Sequence, residues 1–385
     1  MIVRHFLQWV RTAPAGHRAD ATSALARAYL HSDLSTDDRI AAEGAMVMLL
    51  DDPSPLVRLA LAEALATSAD APPAVIMALS GDQPEIAACV LERSPLLLDA
   101  DLVDIVATAE PAAQEAIARR RDLPCPVAAA IAEIGTPEAC LTLIENTGAE
   151  IVPFSLDRIV ARHGHLAAIR EALFAREDLP ASTRQALVVQ LSDTLARFVT
   201  AREWLEEDRA QRVVKEACEK ATIALAAGSA SREVRPLVTH LRQSGQLTTG
   251  LVLRALLSGN VLLFEEALAE LAGLSLARVT GIVHDRRAGV FRALYEKAGL
   301  PSTAYSAFRA AVDVLHEMGV PAEPGGATRL KRRMVERVLT RCEEETPEEI
   351  APLLTLLRRF ATEAAREEAR LFCDELVAAD ELVAA

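Results

Sequence analysis

Apolar residues along this chain recur at three- and four-residue intervals, and short proline-bearing polar breaks separate the runs. Residues 51–65 show the pattern most clearly. Asp51-Asp52-Pro53 closes one run, and Ser54-Pro55 opens the next, in which Val57, Ala60, Ala64 and Leu65 fall at helical spacing around Arg58. A proline in the first helical turn is tolerated because its missing N–H would be unpaired there. Ser35 to Asp38 offer N-caps before the apolar run at 40–50. These signals predict an antiparallel helix pair over 37–50 and 54–67. The pattern returns in degenerate form at Asp82-Gln83-Pro84, and Ser94-Pro95-Leu96 predicts a further helix start. Asp-Leu-Pro recurs at 122–124 and 178–180, and Gly135-Thr136-Pro137 marks another turn between paired helices. One such unit cannot bury its apolar stripe alone, so neighbours must stack. Further on, Leu187, Leu191, Leu195, Phe198 and Val199 mark one helix face, and dense charge follows at 202–209. Residues 226–231 read as a loop, and the Pro- and Gly-rich 319–326 as a linker. Two final helices are expected over 327–383, split at Thr346-Pro347. No alternating β-branched or aromatic pattern predicts a sheet.

The 51–65 segment resembles the second helix of a HEAT repeat, and Asp52, Val57, Arg58, Ala60 and Leu65 carry the likeness. Arg58 is expected to pair with Asp51, Asp52 or an acidic residue of a neighbouring unit. A second likeness lies in 264–316. Its words are the run 264–275, Arg278-Val279, Asp285-Arg286-Arg287, Gly289, Arg292, Leu294, Ala298-Gly299-Leu300-Pro301 and Phe308-Arg309-Ala310. This resembles a HEAT-like domain family of alphaproteobacteria whose members carry an unknown-function label. The resemblance implies an all-α repeat fold in a bacterial cytosol. It implies no activity, and no functional residue carries over from it. The expected architecture is an all-α, HEAT-like α-solenoid of stacked antiparallel helix pairs with extra C-terminal helices. Its expected divisions are a repeat array over 1–225, a helical continuation over 226–320, and a linker with C-terminal helices over 321–385.

Composition agrees with helix. Of the 385 residues, 51% are hydrophobic and only 4% aromatic, so Ala, Leu and Val supply the core. The net charge of −14 repels nucleic acid in bulk, leaving only a local basic patch to bind it. Six isolated cysteines with no C-x-x-C spacing suggest reduced, buried thiols in a cytoplasmic protein. No apolar run approaches the ~20 residues of a membrane span. The N-terminal segment reads as a first amphipathic helix covering the end of the array.

Candidate chemistry is sparse. Ala269, Gly273, Leu274, Ser275, Val279 and Ile282 match a helix-turn-helix pattern at 265–283, with Arg278, Thr280, His284, Arg286 and Arg287 as available donors. The same turn serves a helix hairpin packed inside an array. A basic helix at 329–341 holds Arg329, Lys331, Arg332, Arg333, Arg337 and Arg341, and an acidic stretch follows it. It reads first as a solvated helix paired to acidic neighbours, and alternatively as a docking helix. His163-Gly164-His165 lacks further ligands at metal spacing. No phosphate-loop, dinucleotide, nucleophile-elbow or zinc-protease motif occurs. No catalytic residue, cofactor or metal is therefore expected. The reading is a non-enzymatic scaffold or adaptor for an unidentified protein partner. The alternative is a nucleic-acid-binding regulator using 265–287 and 329–341, and a weaker one is a HEAT-fold enzyme such as a DNA-repair glycosylase.

Overall fold

The structure is a computed structural model. It describes the backbone of residues 8–10, 12–285, 287–318, 326–343 and 351–384, and every side chain among them except those at 288, 318, 326–330, 352 and 375–384. The fold is all-helical, with no strand among the described residues. A single bridge between extended segments joins Leu123 to Ala149 there. It needs Gly148, because a Cβ at that position would lie 1.8 Å from the Arg121 carbonyl oxygen. The chain divides into two compact units, Met1–Leu179 and Pro180–Ala385.

The first unit contains α1 (Ala15–His31), α2 (Thr36–Leu49), α3 (Pro55–Leu65), α4 (Pro73–Ser80), α5 (Pro84–Arg93), α6 (Asp99–Thr108), α7 (Pro111–Ala118), α8 (Cys125–Ile134), α9 (Pro137–Glu145), α10 (Pro153–His163) and α11 (Ala167–Ala175). Most start with proline in the first turn, so one helix stops and the next begins within a few residues. Each odd-numbered helix packs on the odd-numbered one before it, from α1 through α11. Even-numbered helices form a second layer, with α2 on α4 and α8 on both α6 and α10. Val57, Leu61 and Leu65 of α3 and Ile86, Val90 and Leu91 of α5 are fully or almost fully buried in this stack. The helix expected at Ser94-Pro95-Leu96 starts later, at Asp99. There the Asp101 carboxylate accepts the Leu98 N–H at 3.0 Å and fixes the first turn.

A series of side-chain donors ties this stack together. Arg18 pairs bidentately with Asp52 at 2.8 and 2.9 Å, and Arg58 with Asp82 at 2.7 and 3.0 Å. Arg120 donates to the carbonyls of Leu91 and Ser94, Asn146 to those of Ala118 and Arg120, Arg162 to those of Ala132 and Gly135, and Arg176 to that of Ile144. Each bond spans 24–34 residues of sequence, about one helix pair. The carbonyls of a helix's last turn have no partner within the helix, and these donors satisfy them.

The second unit contains α12 (Ala181–Ala201), α13 (Glu207–Gly228), α14 (Ser231–Gln243), α15 (Thr249–Leu257), α16 (Val261–Ala272), α17 (Leu276–Val283), α18 (Ala288–Lys297), α19 (Tyr305–Met318), α20 (Gly326–Glu343) and α21 (Ala351–Ala384). The 225 boundary read from the sequence falls inside this unit, and α13 runs through to Gly228 with only a short break before α14. One core joins α14 to α21, with Phe264, Phe291, Tyr295 and Phe308 at its centre. The apolar stripe read on α12 is buried only at Leu187, while Leu195 and Phe198 are exposed. The far half of α12 belongs to a hairpin with α13, at whose tip Phe198 meets Trp204 edge-on, 5.8 Å between ring centroids. The expected N-terminal helix lies mostly outside the described residues, as do the 319–325 part of the linker and Thr346-Pro347. All six cysteines are free, and Cys373 is exposed, unlike the buried thiols anticipated from the sequence.

Candidate functional site

The helix-turn-helix pattern forms a hairpin. Gly273 closes α16 in the left-handed region at φ 64°, and Val279 of α17 is fully buried. The hairpin is clasped from inside by Glu265, which is almost fully buried. Its Oε2 accepts the Thr280 hydroxyl at 2.6 Å, and its Oε1 stands 3.2 Å from His284 Nε2. Thr280 and His284, read as donors for a partner, thus both face Glu265. Arg278 is exposed and forms no ion pair among the described residues. Arg287 is bound to Asp285 at 2.8 Å, and that hydrogen bond holds the Asp285 carboxyl below its usual range. Arg286 lies outside the described residues.

The basic helix α20 is largely neutralised. Lys331 pairs with Glu367 at 2.7 Å, and Arg332 bonds both Glu336 and Glu368. Arg337 and Arg341 both reach Glu317 of α19. Arg333 is exposed and without an ion pair among the described residues, and the side chain of Arg329 lies outside them.

The densest polar constellation is one the sequence reading did not single out. Arg254 of α15 is 4% exposed. Its Nη1 donates to both Glu363 oxygens of α21 at 2.8 and 3.0 Å. Its Nε stands 3.4 Å from Glu219 Oε2 of α13, within ion-pair range but without hydrogen-bond geometry. Its guanidinium lies 4.1 Å from the Phe360 ring centroid. Lys220 adds a bond to Glu363 at 2.9 Å. Burial is the largest influence on both carboxyls and raises them. For Glu219 it prevails and the pKa is raised. For Glu363 the hydrogen bonds from Arg254 and Lys220 outweigh it and the pKa is lowered. A cleft of about 710 Å³ opens beside the cluster, lined by Lys220, Arg359, Arg366 and Arg370 among others. The signal was available in the sequence, since Arg254 interrupts the apolar run 251–257 and an arginine there must find a carboxylate.

In the first unit the repeat residues occupy a different setting. Val57 and Leu65 are fully buried, and Ala60 is half-buried. Arg58 bonds the Asp82 carboxylate and, through Nη1, the Asp52 carbonyl at 2.6 Å. Asp52 itself accepts Arg18 and the Ser54 N–H, while Asp51 is exposed. Burial raises the pKa values of Asp52 and Asp82, but these hydrogen bonds outweigh it and hold both below the usual carboxylate range. His163 places Nε2 3.4 Å from the Gly135 carbonyl. Among the described residues no group of three or more His, Cys, Asp or Glu side chains is placed to hold a metal.

Residues 86–348 match the family model described as "Uncharacterised protein conserved in bacteria (DUF2336)". The chain belongs to this family. Comparisons with curated proteins and with solved structures give no match. The DUF2336 span contains Glu219, Arg254 and Lys331, but ends before Glu363 and Glu367 of α21. It also begins after Arg58 and Asp82, so the segment with the HEAT likeness lies outside the matched region. No helix among the described residues is long and apolar enough to cross a membrane.

Proposed function

We propose that this DUF2336 member is a non-enzymatic interaction scaffold or adaptor of the bacterial cytoplasm, built on a HEAT-like α-solenoid. The observation that carries the reading is the stack α1–α11. Each odd-numbered helix packs on the odd-numbered one before it, most even-numbered helices do likewise, and a polar bond recurs at about one helix pair. Repeats of this kind touch only their neighbours and present long continuous faces for a partner. Leu98 and Phe154 are among the most exposed large apolar side chains. They stand at the N-terminal ends of α6 and α10, whose shared neighbour is α8. Exposed apolar residues on one edge suit a protein partner better than nucleic acid. The bonding of Lys331, Arg332 and Arg287 to carboxylates reduces the positive charge that the hairpin and α20 offer to phosphate.

The test is a tagged chain at native abundance, cross-linked in its own cells. One protein recovered in stoichiometric yield, and lost when Leu98→Glu and Phe154→Glu are combined, supports the reading. Recovery of the chain without a partner, or a partner indifferent to both substitutions, contradicts it. Both sites are exposed, so stability should move by no more than about 0.5 kcal/mol each.

A further inference from the structure

The α12–α13 hairpin and the 241–251 segment line a half-open pocket of about 380 Å³ in the second unit. This falls within the ~300–1,000 Å³ of pockets that hold small molecules. Val189, Ala196, Val214, Leu241 and Leu251 give it an apolar wall. Glu219 also lines it and is 8% exposed. The contacts of this carboxyl are long on both oxygens, with Oε1 3.4 Å from the Thr248 hydroxyl and Oε2 3.4 Å from Arg254 Nε. Arg254 spends its shorter bonds on Glu363. A carboxylate can accept about four hydrogen bonds, so Glu219 keeps acceptor capacity to spare where an unmet charge is costly.

The remaining charges of the cavity decide what it would accept. Asp193 and Lys215 line it from exposed positions, where solvent screens them. Glu219 acts from the interior, where charge is felt more strongly. An anionic ligand would meet this carboxylate unfavourably. A neutral alcohol would gain apolar burial and one ordinary hydrogen bond. An ammonium would gain a charge-assisted bond, the stronger kind.

We infer that this cavity binds a small primary amine with an apolar body, its ammonium received by Glu219 and its apolar end by the α12–α13 wall. The inference does not depend on the scaffold reading, because it concerns the second unit alone.

The test measures binding of hexylamine, hexan-1-ol and hexanoate to the full chain by calorimetry, with the melting temperature as a second readout. Hexylamine should bind saturably, about tenfold or more tighter than either analogue, and should raise the melting temperature with occupancy. Glu219→Gln should lower hexylamine affinity about tenfold and leave hexan-1-ol unchanged. Ala196→Phe fills the cavity from α12 and should abolish binding of both. This second variant decides the matter if Glu219→Gln fails to fold. Hexanoate binding as tightly as hexylamine, hexylamine binding unaffected by Ala196→Phe, or no saturable binding of any probe would overturn the inference.

Discussion

The two units solve the problem of buried charge on different length scales. In the first unit Arg18, Arg58, Arg120, Arg162 and Arg176 reach a neighbouring helix pair, and their acceptors there are a carboxylate or carbonyls at a helix end 24–34 residues away. In the second, Arg254 reaches Glu363 across 109 residues, and at the surface Arg359 reaches Glu216 across 143. The first arrangement joins helices that are near neighbours along the chain, so damage at one such bond should stay local. The second closes a long loop of chain around one core, so damage should spread through the unit. Sequence-local bonds thus favour a modular surface, and sequence-distant bonds favour a single cooperative body.

The sharpest way to break this contrast is Arg254→Ala. It leaves the buried Glu219 and the half-buried Glu363 without their shared cation and removes the guanidinium from the Phe360 face. The expected loss is about 3–5 kcal/mol, read by denaturant unfolding of the second unit, with α13, α15 and α21 losing protection together. Arg58→Ala should cost less, about 1.5–3 kcal/mol, because it deprives Asp82 of charged donors and the Asp52 carbonyl of one. Its effect should be confined to the α3–α5 region.

Acid should separate the units as well. Asp52 and Asp82 have depressed native pKa values, so they bind protons less readily folded than unfolded. Their contribution is fully present above the unfolded carboxyl pKa of about 4, and it is lost as pH falls through the lower native values. Glu219 has the opposite sign. Its raised native pKa makes its contribution most favourable at low pH, and that contribution declines as pH rises through the native value. A pH titration followed by circular dichroism on Asp52→Asn against Glu219→Gln should show the acid limb flattened in the first variant alone.

The smallest effect concerns the aromatic core. Tyr295 is buried and donates its hydroxyl to the Pro301 carbonyl at 2.6 Å, and burial raises its pKa above the ordinary phenol value. Tyr295→Phe should cost about 0.5–1.5 kcal/mol in the second unit, measured by thermal unfolding, with the first unit unmoved.

Much of this architecture was legible in the residues. Prolines 55, 84 and 137 mark helix starts because proline is best tolerated in the first turn, and Gly273 closes α16 because a left-handed residue ends a helix. Periodicity misleads where a stripe outruns its packing. Leu195 and Phe198 keep the helical spacing of Leu187, yet the hairpin carries them away from the core. Ser94-Pro95 misleads in another way, because the cap that starts α6 comes from Asp101 rather than from the serine. The Arg254 cluster was the least legible part. Its members Glu219, Arg254 and Glu363 come from three distant helices, and spacing along the chain says nothing about such a meeting. The charge of 329–341 posed a related problem, since its partners among the described residues include Glu317, Glu367 and Glu368, which lie on the separate helices α19 and α21.

The central claim is that the first unit is modular and the second cooperative. Native-state hydrogen exchange, read peptide by peptide in Arg58→Ala and Arg254→Ala, tests it most directly. The expected result is faster exchange restricted to α3–α5 in Arg58→Ala, and a uniform loss of protection from α13 to α21 in Arg254→Ala. Loss of protection throughout α1–α11 in Arg58→Ala, or a purely local change around α15 in Arg254→Ala, would contradict it.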